Sequence, residues 1–433
     1  MKRKLSTLEY LIDANITCVV GVDGHFSIDQ LRSSLSRVQA KHPMLRMLIR
    51  EEHGVLYYEA DVAGAIPLRV VERTSDDDCS RERDAELATA IPYHQPSLRV
   101  VWLKSERAND LLITTTHRIC DGMSVLTLVR EILKSLYSDE ALVPYAPVTL
   151  GDVIGDLRDD GLAKRQRVAR LTNALVGLLP GSRRPVENNE VYREWVVSQA
   201  LSSTLKQRCK LEGVSIHTAL LTVLDKALQT TFGQQAPGWI ESPFDGRRGR
   251  LSMIKSDMLF FNGGCFKIRA GQGAAMGFWD RAREIHEESR LKIDQELANI
   301  PGNYQYFEML KVPAERKLRS IVRLQNFLSR YGSRNMFTLS NLGNINVLDL
   351  DAPFKLKNFR LFVHSFSMRF FGVVVYSVHG ELRIMYMGDA KCLGEAEVDA
   401  LQGQFMAWLE SCVEQHASAA EFAKVLEGDR GYA

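Results

Sequence analysis

Leu111-Leu112-Ile113-Thr114-Thr115-Thr116-His117-Arg118-Ile119-Cys120-Asp121-Gly122-Met123-Ser124 changes character twice within a short span. The apolar, β-branched run Leu111–Thr116 reads as a strand. A polar turn carrying His117, Cys120 and Asp121 follows it. Val125, Leu128, Val129 and Ile132 then recur at helical spacing and predict a helix ending near Tyr137. Strand, turn and helix in this order predict an α/β fold. A histidine at a strand end is held by a rigid scaffold yet lies at a sheet edge, where such folds place reacting groups. Asp121 is placed to cap the helix or to fold back toward a cation, and Gly122 to permit a tight turn. Cys120, three residues from His117, opens a thiol-nucleophile reading, although the two need not face each other within the turn.

Outward from this segment the first half alternates strands and helices. Strands are predicted at Ile16–Val22, Leu45–Arg50, Val55–Tyr58 and Leu98–Lys104, with a turn at His53-Gly54. Helices are predicted from Ser27-Ile-Asp29 through Lys41, and over Asp76–Ala90 with Ser75 or Asp76 as cap. Pro180–Asn189, rich in turn formers and charge, reads as a linker. Beyond it come strands at Val191–Val197, Leu259–Arg269 and Met336–Leu339, and helices at Ser202–Gly213, Ile216–Phe232 and Glu395–Cys412. Phe359–Phe362, Val373–Val378 and Leu382–Met387 are expected to form a late antiparallel sheet. The result is two α/β units, residues 1–182 and 183–433.

The 433 residues carry 55 Lys+Arg against 53 Asp+Glu, a net of +2, which gives no electrostatic case for nucleic acid. No apolar run approaches the ~20 residues of a membrane span. The basic Met1-Lys-Arg-Lys-Leu-Ser start is followed by Glu9, Asp13 and Asn15 rather than an apolar segment, so a cytoplasmic protein is expected. Seven scattered cysteines without a C-x-x-C pair predict reduced, mostly buried thiols, and no metal site is expected. Gly271-x-Gly273-x-x-x-Gly277 is spaced wrongly for a dinucleotide loop and reads as a flexible connection. Lys164–Leu179 is a basic amphipathic helix. Its bland reading is a solvated face over a core stripe; its sharper one is a contact with an acidic carrier protein or a membrane surface.

His117-x-x-x-Asp121-Gly122 after an apolar strand resembles the signature of the thioester-dependent acyltransferases with the chloramphenicol acetyltransferase fold. That family includes nonribosomal peptide synthetase condensation domains, polyketide-associated acyltransferases and wax-ester synthases. Further segments are similar in the right order. Leu8, the helix 28–41 and His42-Pro43-Met44-Leu45-Arg46 resemble the family's opening strand, helix and HPxLR step. Gly213-Val-Ser-Ile-His-Thr-Ala-Leu-Leu resembles the helix that opens the second half. Phe244-Asp245-Gly246-Arg247-Arg248, Asn262-Gly263-Gly264 and Arg269 resemble its GRP…GxF…R stretch, and Thr338-Leu-Ser340-Asn341-Leu-Gly343 its late SNxG turn. Thr116 departs from the pattern, since most members have a second histidine there; that histidine looks structural, so activity is expected to survive.

The resemblance implies two lobes in a V-shaped pseudo-dimer around a central channel, acting together as a monomer. It implies acyl transfer from an acyl-CoA or a carrier-protein phosphopantetheine thioester to a hydroxyl acceptor, with no tightly bound cofactor. Imidazole suits the general-base role at neutral pH, and His117 is the candidate. Asp121 is implied to pair with Arg247 from the second half and to hold the turn. Ser340 and Asn341 are the oxyanion candidates. Two other readings stay open: a free-standing condensation enzyme forming an amide, and a non-catalytic module that binds an acyl or peptidyl carrier protein.

Overall fold

The computed structural model describes residues 2–105, 109–148, 153, 161–183, 189–247, 254–261, 264–273, 275–328, 336–366 and 371–414. The first half runs β1 (Lys2–Lys4), α1 (Thr7–Leu11), β2 (Ala14–Asp23), α2 (Ile28–Lys41), β3 (Leu48–Glu52), β4 (Val55–Glu59), β5 (Leu68–Glu72), α3 (Asp77–Ala88), β6 (Leu98–Lys104), β7 (Asn109–Thr116), α4 (Gly122–Lys134) and α5 (Leu162–Leu178). The second runs β8 (Glu190–Val197), α6 (Gln199–Leu211), α7 (Ile216–Phe232), β9 (Trp239–Pro243), β10 (Cys265–Arg269), α8 (Phe278–Met309), α9 (Glu315–Leu328), β11 (Met336–Asn344), β12 (Lys355–Ser365), β13 (Phe371–Val378), β14 (Glu381–Asp389) and α10 (Glu395–Glu414).

β7 is buried along its whole length because it is the central strand of a five-stranded sheet ordered β12-β2-β7-β6-β5. A strand covered on both faces needs apolar or self-satisfying side chains, and Thr114 meets this by bonding Thr17 on β2 at 3.0 Å. α4, which follows, lays Val125, Leu128, Val129 and Ile132 into the same core. The hairpin between β3 and β4 turns at His53-Gly54, whose φ values of 51° and 76° are the left-handed pair that a two-residue turn requires. The second sheet has six strands in the order β10-β9-β11-β13-β14-β8, and a small third sheet is ordered β1-β4-β3.

The late antiparallel sheet forms only in part. β13 and β14 pair antiparallel as expected, but β11 joins β13 parallel. β12 leaves the second half altogether and pairs antiparallel with β2, from Lys355 opposite Asp23 to Ser365 opposite Ala14. The first sheet is therefore completed by a strand from beyond residue 183. Alternation makes β13 and β14 two-faced as well. Val373, Val375, Ile384 and Tyr386 pack into the second core, while Val374, Tyr376, Met385 and Met387 pack into the first.

Other expectations shift locally. Among the described residues of the stretch Leu259–Arg269, Cys265–Arg269 is strand, while Phe260 donates its N–H to the Ser124 hydroxyl of α4 (3.1 Å). Neither Ser75 nor Asp76 caps α3 with its side chain; Asp78 reaches back to accept from the N–H groups of Thr74 and Ser75 at 2.6 and 2.8 Å. Of the expected linker, residues 184–188 lie outside the described ones, as do Arg248, Asn262 and Gly263. Ser182 is tied to α9 through Arg316 O at 2.8 Å. All seven cysteines are free thiols. Among the described residues no helix is long and apolar enough to cross a membrane.

A fragment ending at residue 182 lacks β12 and leaves β2 with an open, apolar edge. It should aggregate on refolding while the full chain stays dispersed, which light scattering on both would show; a soluble, cooperatively melting fragment would contradict this dependence.

Candidate active site

β7 ends one residue before His117, and the pairing continues into the turn: His117 N donates to Ala14 O at 2.8 Å. The imidazole Nδ1 lies 2.7 Å from Cys120 O. A carbonyl only accepts, so Nδ1 carries the proton and Nε2 of the neutral ring keeps its lone pair. Burial pushes the His117 pKa below its ordinary 6.5, against the Cys120 carbonyl and the Asp121 charge, which favour the cation. The ring edge meets Phe261 at 5.3 Å between centroids. Cys120 is no nucleophile: its Sγ is fully buried, faces Thr116 O at 3.3 Å, and burial pushes the thiol far above its usual range.

Asp121 does both things its position permits. Its Oδ1 accepts from Ser124 N (2.8 Å), capping α4, and the Arg247 guanidinium approaches both oxygens, Nη1 to Oδ2 at 2.8 Å and Nη2 to Oδ1 at 3.0 Å. Both side chains are withdrawn from water, 15% exposed for Asp121 and 5% for Arg247. Arg247 also donates to Asp245 (3.0 Å) and to Ser124 Oγ (2.9 Å). Burial works against its charge, yet Asp121 and Asp245 hold its pKa above the ordinary arginine value. Nothing in the sequence singles out Ser124. Its hydroxyl joins Arg247 to the Phe260 backbone, accepting from Phe260 N and donating toward Phe260 O at 3.1 Å.

Turn geometry does not account for Gly122, and a side chain there would have to displace the tip of Leu342. Gly122 has no left-handed φ, but a Cβ there would stand 2.5 Å from Leu342 Cδ2. The expected Ser-Asn-x-Gly turn is in fact part of β11, irregular between Asn341 and Asn344 where the register on β13 shifts. Thr338 and Ser340 alternate with Phe337 and Leu339, which fill the second core, and so face away from it. Asn341 Oδ1 accepts from Gly343 N at 2.9 Å, which spends that oxygen within the bulge.

A second polar cluster binds the same two parts of the chain. Lys41 contacts Glu131 at 2.5 Å and Asp257 at 2.6 Å, His42 Nε2 meets Glu131 at 2.6 Å, and the Tyr145 hydroxyl donates to Asp257 at 2.6 Å. Burial opposes the Lys41 charge, but Asp257 and Glu131 keep its pKa raised. Residues 254–261 are thus held at two points, at Asp257 by Lys41 of α2 and by Tyr145, and at Phe260 by Ser124 of α4. Phe261, which sits on His117, lines two cavities. One lies beside His42, Arg118, Tyr145 and Phe260; the other, about 830 Å³, lies between β9, β10 and α8. His117 lines neither of these two cavities; its ring neighbour Phe261 lines both.

Comparison with known proteins places this arrangement. The family model described as Condensation domain matches residues 12–259, more than half of the chain. This chain belongs to the condensation-domain family. Solved structures agree on a two-lobed, chloramphenicol acetyltransferase-like fold. Polyketide synthase associated protein 5 from Mycobacterium tuberculosis is 14% identical, with TM-score 0.66 and 94% of this chain and 98% of that one covered. The condensation domain of Monacolin K polyketide synthase MokA is 12% identical, with TM-score 0.67 over 96% and 98%. The nonribosomal peptide synthetase agiA of Aspergillus flavus is 23% identical over 269 residues, which is 57% of this chain but 3% of that protein. The condensation domain described here therefore corresponds to a small part of that relative.

Asp121→Ala should cost about 3 kcal/mol, the low end for breaking a buried pair, because Asp245 still faces the stranded guanidinium. His117→Ala, which deletes no ion pair, should stay within about 1 kcal/mol. Urea unfolding compares them, and equal losses would refute the division between support and chemistry. Gly122→Ala should destabilise by pushing on Leu342, and Leu342→Ala in the same chain should recover part of the loss; purely additive effects would show that the two do not meet.

Proposed function

We propose that this condensation domain transfers an acyl group from a thioester, acyl-CoA or a carrier-protein phosphopantetheine, to a hydroxyl acceptor, with His117 as general base. The observation that carries the proposal is the Nδ1 bond to Cys120 O, because it commits the free lone pair to Nε2. Burial keeps that nitrogen unprotonated at neutral pH. Nε2 takes the acceptor's proton as its oxygen attacks the thioester carbonyl, and the C–S bond then breaks to release the thiolate or, with that proton returned, the thiol. Asp121 takes no part in the proton transfer. It does not touch the ring, and its oxygens are engaged by Arg247 and Ser124. The developing oxyanion is assigned to Ser340 and Asn341, on the strand whose Leu342 abuts Gly122 beside the turn. Phe261 and the cavities around it form the approach, where exclusion of water protects the acyl group from hydrolysis.

An amine acceptor is the second reading. Membership of the condensation family and the likeness to part of a nonribosomal peptide synthetase favour it. A panel of acyl-CoA and acyl-pantetheine thioesters against alcohols and amines decides between ester and amide. If no pair turns over while a carrier protein binds, the chain is a non-catalytic module.

For any productive pair, His117→Ala should lower kcat by roughly 10²–10⁴. The pH profile follows from the direction of the shift. Because the folded pKa lies below 6.5, activity should be level through neutrality and fall only as the pH drops beneath that value. An acidic limb centred above 6.5, or unchanged turnover in the alanine variant, would remove His117 from the role.

A further inference from the structure

α5 is built inside out. The side it turns toward α8 is held by polar contacts: Arg165 Nε to Gln305 at 3.0 Å, the Thr172 and Tyr306 hydroxyls at 3.1 Å, and Asn173 Nδ2 to Met309 O at 3.0 Å. Ala169 is its one buried residue. Its aliphatic residues face outward instead, in a row at helical spacing: Val168 at 44% exposure, Leu171 at 61%, Leu175 at 57% and Leu178 at 81%. The stripe that periodicity would send to a core is thus on the surface, where an exposed leucine row signals a contact.

Charge surrounds this row with one sign. Lys164, Arg167 and Arg170 are exposed on the helix, and none has an ion pair among the described residues. α9 packs against the end of α5, with Lys317 bonded to Gly177 O and Ser320 to Pro180 O. Residues 161–183 and 315–324 together hold nine Lys or Arg and one Glu, a net of +8 in a chain whose total is +2. The surplus is therefore local, and the remainder of the chain is net acidic.

We infer that α5 lies on an anionic phospholipid surface, with its leucines in the headgroup–acyl boundary and its cations among the phosphates. The inference is independent of the acyl-transfer reading. The leucines stand out as a ridge spanning about 15 Å from Val168 to Leu178. A ridge of this kind inserts into a fluid boundary without a complementary pocket, whereas a folded acidic partner would have to supply a groove of matching shape. A second copy would bring its own positive face against this one, and like charges oppose that pairing. The helix rests on the surface and does not span it.

Flotation of the full chain with vesicles tests the assignment. Vesicles of phosphatidylcholine containing about one third phosphatidylglycerol should retain the protein, pure phosphatidylcholine should not, and about 0.5 M salt should weaken retention. Lys164→Glu/Arg167→Glu/Arg170→Glu should weaken partitioning roughly a hundredfold or more, and Leu171→Ser/Leu175→Ser/Leu178→Ser at least tenfold. All six side chains are exposed, so both variants should melt like the parent, which circular dichroism verifies. No partition onto anionic vesicles, or undiminished partition of the leucine variant, would overturn the proposal. So would capture of an acidic carrier protein in place of vesicles, or concentration-dependent dimers that the leucine substitutions abolish.

Discussion

A carboxylate and a guanidinium, both shut away from water, join the turn after β7 to the chain 126 positions later. Taking such charges out of solvent is costly, and the cost is met only when both partners are present in two-pronged geometry. Asp121 and Arg247 meet that condition, with Ser124 filling a further donor site. Because Asp121 also caps α4, the pair fixes the helix start, the turn and residues 254–261 in one arrangement. His117 inherits its position from this arrangement without touching either charged group.

If His117 acts as proposed, support and chemistry are separated more sharply here than in hydrolases where a carboxylate orients the catalytic imidazole. Here the orienting group is a neutral backbone carbonyl, so no fixed negative charge on Nδ1 pulls the pKa upward. Burial is left to dominate, and the ring stays a free base. In the role proposed for His117, a neutral orienter leaves Nε2 unprotonated and ready to accept a proton at neutral pH.

Local chemistry was legible in the sequence, and long-range partnership mostly was not. The strand–turn–helix around His117 follows from β-branched content and a switch of hydrophobic period, both short-range properties. Arg247 was reached through the resemblance, since nothing near it in sequence points to Asp121. Ser124, Phe261 and the Lys41–Glu131–Asp257 cluster escaped notice because each looks ordinary until distant segments meet. β12 was read as a neighbour of β13 because adjacent strands usually pair, yet its partner is β2. The sequence suggests backbone freedom for Gly122, yet its φ is not left-handed, and what a side chain there would meet is the tip of Leu342. The sequence leaves the leucines of α5 open between a core stripe and a surface contact, because periodicity reports amphipathicity but not which side faces in.

The alternation along β13 and β14 has an evolutionary consequence. Val374 and Val375 are adjacent in the chain yet belong to different cores, as do Met385 and Tyr386. Drift in the packing of one lobe is therefore transmitted, one residue over, to the other. Exchanging strands 355–389 without the first lobe's sheet would disturb the packing of both cores at once, so the lobes are coupled even though each has its own core.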